Sequence, residues 1–144
     1  MTLSAADRAA AFRKTRAAHL TEVSEDYVEL IGDLIAEQGE ARLTDVAERL
    51  GVSQATASKV ITRLRRDGLV ENKRYRSIFL TDRGRELADA SRERHRIVFE
   101  FLRALGLDDA VAHADSEGIE HHVSEVTLVK LQELTQRLRR SDGQ

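Results

Sequence analysis

Apolar residues recur at helical spacing along most of the chain. Residues 4–22 are rich in Ala and Arg with few large apolar side chains. They read as a loosely anchored helix or arm. From Ser24 the pattern strengthens: Tyr27, Leu30, Ile31, Leu34 and Ile35 form one apolar face, and Gly39 supplies a stop. Ser24 is the predicted cap, with Glu25 and Asp26 in the first turn, where the helix dipole favours acids. A short helix follows, with Thr44 as its predicted cap and Val46, Ala47 and Leu50 on one face. Gly51 and Val52 form a break. Ser53 caps a third helix whose Ala57, Val60, Ile61 and Leu64 face inward, and Gly68 ends it. The period then shortens. Leu69-Val70 and Ile78-Phe79-Leu80 flank a basic tip and predict a β-hairpin. Thr81 caps a long helix from about Asp82 to Leu105. A shorter helix follows around Asp108–Ala114, and then the segment EGIEHHVSE at 117–125. A last helix carries Val126, Val129, Leu131, Leu134 and Leu138.

Composition narrows the class. The chain has 144 residues, 33% charged and 41% hydrophobic, with no Pro, Cys or Trp. Without Cys there is no disulfide scaffold, zinc ribbon, iron–sulfur site or thiolate nucleophile. No apolar run approaches the roughly 20 residues of a membrane span. The N-terminus lacks the apolar core of a secretory signal. The expectation is a cytoplasmic, mainly α protein without a membrane partner.

The net charge of −2 conceals two poles. Residues 53–76 hold seven Lys and Arg against two acids, while residues 108–125 hold six acids and no Lys or Arg. The basic pole coincides with helix-turn-helix spacing. Small Ala47 lets two helices cross, Gly51 turns the chain, and Val52, Val60 and Leu64 fill the space beneath. This leaves Gln54, Ala55, Thr56, Ser58, Lys59, Thr62 and Arg63 outward, with Ser53 at the helix start. Gln reads adenine, Ala and the Thr methyl touch thymine methyls, and Lys or Arg suits phosphate or guanine. The hairpin's Lys73, Arg74 and Arg76 then act as a wing on the phosphates. The expected partner is double-stranded DNA.

In the acidic pole, Glu117, Glu120 and His121 stand at i, i+3 and i+4, which on a helix is one face. Two carboxylates that converge beside an imidazole repel each other unless a cation joins them. Such an oxygen-rich, thiolate-free site suits Mn²⁺ or Fe²⁺ and tolerates Co²⁺, Zn²⁺ or Cd²⁺. Asp26 and Glu29 form a further i, i+3 pair, and His95 lies mid-way along the long helix. His122 points away as a structural residue. His19 and His113 have no partner at useful spacing. A di-metal carboxylate enzyme is the competing class, but Glu-x-x-His does not recur in matching helices and His-Glu-x-x-His is absent. The expectation is therefore not an enzyme.

Together these blocks resemble the manganese-responsive regulators of the MntR type in the diphtheria-toxin-repressor superfamily. The resemblance runs from about Ser24 to Leu138. It is carried by residues 25–31 (EDYVELI), the helix-turn-helix stretch 41–70, SRERH at 91–95 and EGIEHHVSE at 117–125. It implies a winged helix-turn-helix DNA-binding domain over 24–81, a helical metal-binding and dimerisation domain over 82–144, and an N-terminal arm over 1–23. It also implies that Asp26, Glu29, His95, Glu117, Glu120 and His121 surround a pair of Mn²⁺ ions in each subunit. The function implied is a homodimeric repressor of manganese-homeostasis genes, with Mn²⁺ as co-repressor and a palindromic operator. Iron-responsive relatives carry Met and Cys where this chain has Asp26 and Glu120, so the exchange hardens the site toward Mn²⁺. The missing C-terminal SH3-like domain matches the manganese subgroup. The N-terminal arm departs from the shortest members and is similar to the proteobacterial type. The competing regulators would sense iron or an organic ligand. The latter needs an apolar pocket, and the chain offers four Phe and two Tyr to line one.

Overall fold

The computed structural model describes residues 2–72 and 77–143. Six α-helices and one hairpin follow in the order α1 (Ala5–Gln38), α2 (Leu43–Leu50), α3 (Gln54–Arg66), β1 (Val70–Asn72), β2 (Ile78–Leu80), α4 (Asp82–Ala104), α5 (Asp109–Ile119) and α6 (Glu125–Ser141). A 3-10 turn, Glu120–His122, joins α5 to the last connection. The chain forms two compact units. One is Thr21–Ser91; the other combines Met1–Leu20 with Arg92–Gln144.

The predicted break at Ser24 does not exist. α1 is one helix of 34 residues, so the arm over 1–23 and the first amphipathic helix are a single element. No Pro interrupts it, and Ala is the strongest helix former. The cap lies at Ser4 instead, whose hydroxyl accepts the Asp7 N–H at 3.1 Å and donates to the Asp7 carboxylate at 2.8 Å. Glu25 and Asp26 therefore sit mid-helix. Thr44 is likewise no cap: α2 begins at Leu43, after an extended Arg42 that makes no side-chain capping bond.

In the Thr21–Ser91 unit the core is built from α1, the helix pair and the hairpin. Val28, Ile31, Leu34, Val46, Ala57, Leu64 and Ile78 are buried at its centre. Gly51 adopts φ 68°, where an L side chain is strained, and returns its N–H to α2. Ser53 Oγ accepts from the Thr56 N–H at 3.1 Å, which starts α3 as predicted. The hairpin pairs antiparallel, with Val70 opposite Leu80. Sequence reading missed a third partner: Ala41 bridges to Ile78, whose N–H donates to the Ala41 carbonyl at 2.8 Å. Thr81 caps α4 as expected, accepting from the Gly84 N–H at 3.1 Å.

In the other unit Ile97, Val98, Leu102, Ala112 and Leu128 form a separate core. Asp108 caps α5 by accepting from the Val111 N–H at 2.9 Å. α5 continues five residues past the predicted end, because nothing in Asp115–Ile119 breaks it. The apolar stripe of α6 divides into two. Leu128 and Thr135 are buried, Leu131 packs on the core, and Val126, Val129 and Leu134 remain exposed. The Thr135 hydroxyl is satisfied by donating to the Leu131 carbonyl at 2.9 Å.

Candidate metal centre and DNA-binding face

α4 and α5 each contribute two residues one turn apart, His95 with Phe99 and His113 with Glu117. The 3-10 turn adds Glu120. One ligand atom from each of His95, Glu117 and Glu120 lies within 4.8 Å of the others. His95 Nδ1 is 3.4 Å from Glu120 Oε2 and 3.5 Å from Glu117 Oε1. That nitrogen is buried and makes no hydrogen bond among the described residues. Glu120 is 1% exposed. A buried carboxylate is costly without a cation or strong donors around it. An imidazole nitrogen turned toward two carboxylates is thus a donor set that fits a divalent ion of hard or intermediate character.

Glu120 and His121 leave the α-helical repeat, so Glu117 and Glu120 come together as their i, i+3 spacing requires, while the i+4 position of His121 no longer places it on the same α-helical face. A 3-10 turn advances about 120° per residue rather than about 100°. Glu120 joins His95 and Glu117, and His121 borders its other carboxylate oxygen, with Nε2 3.5 Å from Glu120 Oε1. Asp26 and Glu29 lie in the other unit, both half-buried on α1 and one turn apart.

Three residues around these groups escaped sequence reading. Arg94 donates from Nε to the Glu120 carbonyl at 2.9 Å and from Nη1 to Glu125 at 3.0 Å, and Nη2 donates to the Val123 carbonyl. It thereby satisfies carbonyls that a helix end leaves orphaned and fixes the turn that carries Glu120. Ser91, 2% exposed, donates to Glu29 Oε2 at 2.9 Å. His113, expected to have no partner, stacks on Phe99 with ring centroids 4.1 Å apart. The signal for it was its i, i+4 relation to Glu117. His19 too has a ring partner, meeting His122 edge-on at 5.0 Å.

On α3, Ser53, Gln54, Ala55, Thr56, Ser58, Lys59 and Thr62 are exposed. The Thr56 hydroxyl is occupied by Ser53 at 2.9 Å. Arg63 departs from expectation. It is half-buried, and its Nη2 is enclosed without a hydrogen bond among the described residues. Burial pushes the Tyr27 phenol pKa up, and the nearby Arg63 guanidinium offsets part of that rise. Lys73, Arg74 and Arg76 lie outside the described residues. The far end of β1 is tied to α3 by Arg65, which donates to Asn72 Oδ1 from Nη2 at 2.6 Å and from Nε at 3.2 Å.

Comparison with known proteins matches two family models. Residues 19–78 match the iron dependent repressor N-terminal DNA binding domain, and residues 81–142 match the iron dependent repressor metal binding and dimerisation domain. The chain is 53% identical over 126 residues to the transcriptional regulator MntR of Escherichia coli O6:H1, covering 88% of this chain and 81% of that protein. The chain belongs to the MntR family of metal-dependent transcriptional regulators. The MntR of Bacillus subtilis (strain 168) is 35% identical over 123 residues, 85% of this chain and 87% of that one. Among solved structures, a manganese-dependent transcriptional repressor in complex with manganese superposes with TM-score 0.71 at 33% identity. That match covers 78% of this chain, which spans about half of the solved chain (52%). MntR relatives are regulators, so the di-metal enzyme alternative falls away. No helix among the described residues is long and apolar enough to cross a membrane.

Proposed function

We propose that this MntR-family chain represses manganese-homeostasis genes as a homodimer, with Mn²⁺ as co-repressor on a palindromic operator. The observation that carries the metal assignment is the His95 Nδ1 turned toward the Glu117 and Glu120 carboxylates. His121 borders Glu120, and Asp26 and Glu29 complete a ligand set for two ions on sequence grounds and family resemblance. Carboxylate and imidazole donors without sulfur favour Mn²⁺, with Fe²⁺, Co²⁺, Cd²⁺ or Zn²⁺ as substitutes. When bound, the ion supplies the positive charge that allows these carboxylates to lie together. Arg94 holds the turn of Glu120, and Ser91 orients Glu29. A ligand set drawn, as the resemblance implies, from both the DNA-binding and the metal-binding regions of the sequence would couple metal occupancy to DNA affinity, and by linkage DNA would tighten metal binding by the same factor. The exposed Val126, Val129 and Leu134 of α6 suit the dimer contact. The solved structures named as manganese regulators support Mn²⁺ over iron.

The deciding experiment is an operator gel shift with Mn²⁺ and with chelator. Affinity should fall when metal is removed; an affinity indifferent to metal would reject the co-repressor assignment. Base reading falls to Ser53, Gln54, Ala55, Thr56 and Ser58. Lys59 and Arg63 carry charge toward the phosphates, with Lys73, Arg74 and Arg76 on the wing. Exposed Lys59 is the cleaner test, since Arg63 is half-buried. Lys59→Ala should weaken binding across operator sequences and flatten the log affinity–log salt slope by about 1. An unchanged slope would take Lys59 off the DNA.

A further inference from the structure

We propose that His113 is a positioning residue for the metal centre, holding the Nε2 proton of His95 so that the His95 Nδ1 lone pair faces Glu117 and Glu120. This inference rests on the reading of those three residues as metal ligands.

The geometry has three parts. His95 Nε2 and His113 Nδ1 are 3.3 Å apart, within hydrogen-bond reach. The two imidazoles are nearly parallel, with centroids 5.5 Å apart and planes 15° apart, and Phe99 stacks on His113 at 4.1 Å. The other His95 nitrogen is the buried Nδ1 that makes no hydrogen bond among the described residues and lies beside both carboxylates.

A neutral imidazole carries one proton, and the hydrogen bond made by one nitrogen decides which form the other takes. Left to the carboxylates alone, His95 would keep its proton on Nδ1, pointing at them. That tautomer offers no lone pair where an ion would sit. An acceptor at Nε2 reverses the preference. His113 Nδ1 is such an acceptor when its own proton is on Nε2, and His113 is exposed, so water can take that proton as partner. Phe99 fixes the plane of the His113 ring, and the position of His113 one turn before Glu117 on α5 fixes its distance from His95. The pattern is that of an outer group that orients a metal-binding imidazole.

Two substitutions separate this role from packing. His113→Phe keeps a flat ring against Phe99 and removes the acceptor. His113→Asn loses the ring but returns an acceptor oxygen near the place of Nδ1. Mn²⁺ titration of the full chain should show about ten-fold or greater weakening in His113→Phe and recovery of most of that loss in His113→Asn. Imidazole ¹⁵N spectra of the metal-free protein should show the His95 proton moving from Nε2 toward Nδ1 in His113→Phe. Unchanged affinity in His113→Phe, or equal loss in both variants, overturns the proposal. So does a fall in the number of bound ions at unchanged affinity, which would make His113 a ligand. Glu120→Ala serves as reference. If it binds Mn²⁺ like the unmodified chain, the metal-centre reading itself fails. If it loses Mn²⁺ while His113→Phe does not, only the role of His113 is lost.

Discussion

Glu120→Ala should remove most of the Mn²⁺ response of this regulator. Glu120 is 1% exposed and lies 3.4 Å from His95 Nδ1 and 3.5 Å from His121 Nε2, so its carboxylate borders two imidazoles. Loss of a direct ligand should exceed the roughly 10- to 100-fold that loss of an outer partner costs. Thermal melts with and without Mn²⁺ give an independent readout. Metal at about 100 times its dissociation constant stabilises the unmodified chain by about 2.7 kcal/mol, and that gain should vanish in the variant. Glu120→Gln isolates the charge at nearly constant volume. With no metal added, Gln removes a buried charge close to Glu117 and should leave the protein at least as stable as the unmodified chain. A Glu120→Ala chain that still gains stability from Mn²⁺ would exclude Glu120 from the site.

Gly84→Ala should destabilise the Thr21–Ser91 unit, although Ala is the better helix former. Propensity alone predicts a gain of about 1 kcal/mol for replacing Gly within a helix. The packing predicts the reverse. A Cβ at Gly84 would stand 2.0 Å from the Leu69 carbonyl oxygen and 3.3 Å from Leu80 Cδ2. The first obstacle is backbone, and it is held in place: the Leu69 oxygen accepts the Thr81 N–H at 3.1 Å, while Thr81 Oγ1 donates to the Gly68 carbonyl at 2.6 Å. Relief would require moving the entry to the wing or the start of α4. Such overpacking costs about 1–3 kcal/mol or more. In a unit of this size that lowers the melting temperature by on the order of 10 °C. A rise in melting temperature would show that the close approach is relieved cheaply and would sink the argument.

These two residues mark how far the chain could be read before folding. Ser53, Gly51, Thr81 and Gly39 act where the pattern put them, because capping and left-handed turns are local chemistry. The helix-turn-helix core of Val46, Ala47, Ala57, Ile61 and Leu64 is buried as its spacing required. Boundaries fared worse where several local signals were acceptable. Ser24 and Thr44 have capping chemistry, yet neither caps, because continued packing of α1 and an extended Arg42 decided the ends. The apolar residues of α6 divide between core and surface for a related reason. Leu128 and Val129 are neighbours in sequence, and only the position of the second core selects Leu128.

By itself the sequence determined the residue types that carry the chemistry: acids and imidazoles without thiolates, and a basic helix and hairpin apart from them. It also determined the helical periods and the turns that divide them, since both follow from contacts within a few residues. The tertiary structure decided what depends on residues distant in the chain. It broke the helical repeat at Glu120 and set the Glu120 carboxylate between His95 and His121. It drew Arg63 inward toward Tyr27, pressed Gly84 against the Leu69 carbonyl, and gave His95 a neighbour in His113. Each of these is a choice of one partner among many residues of suitable chemistry. Such a choice is made by packing two elements together, and no local pattern records it.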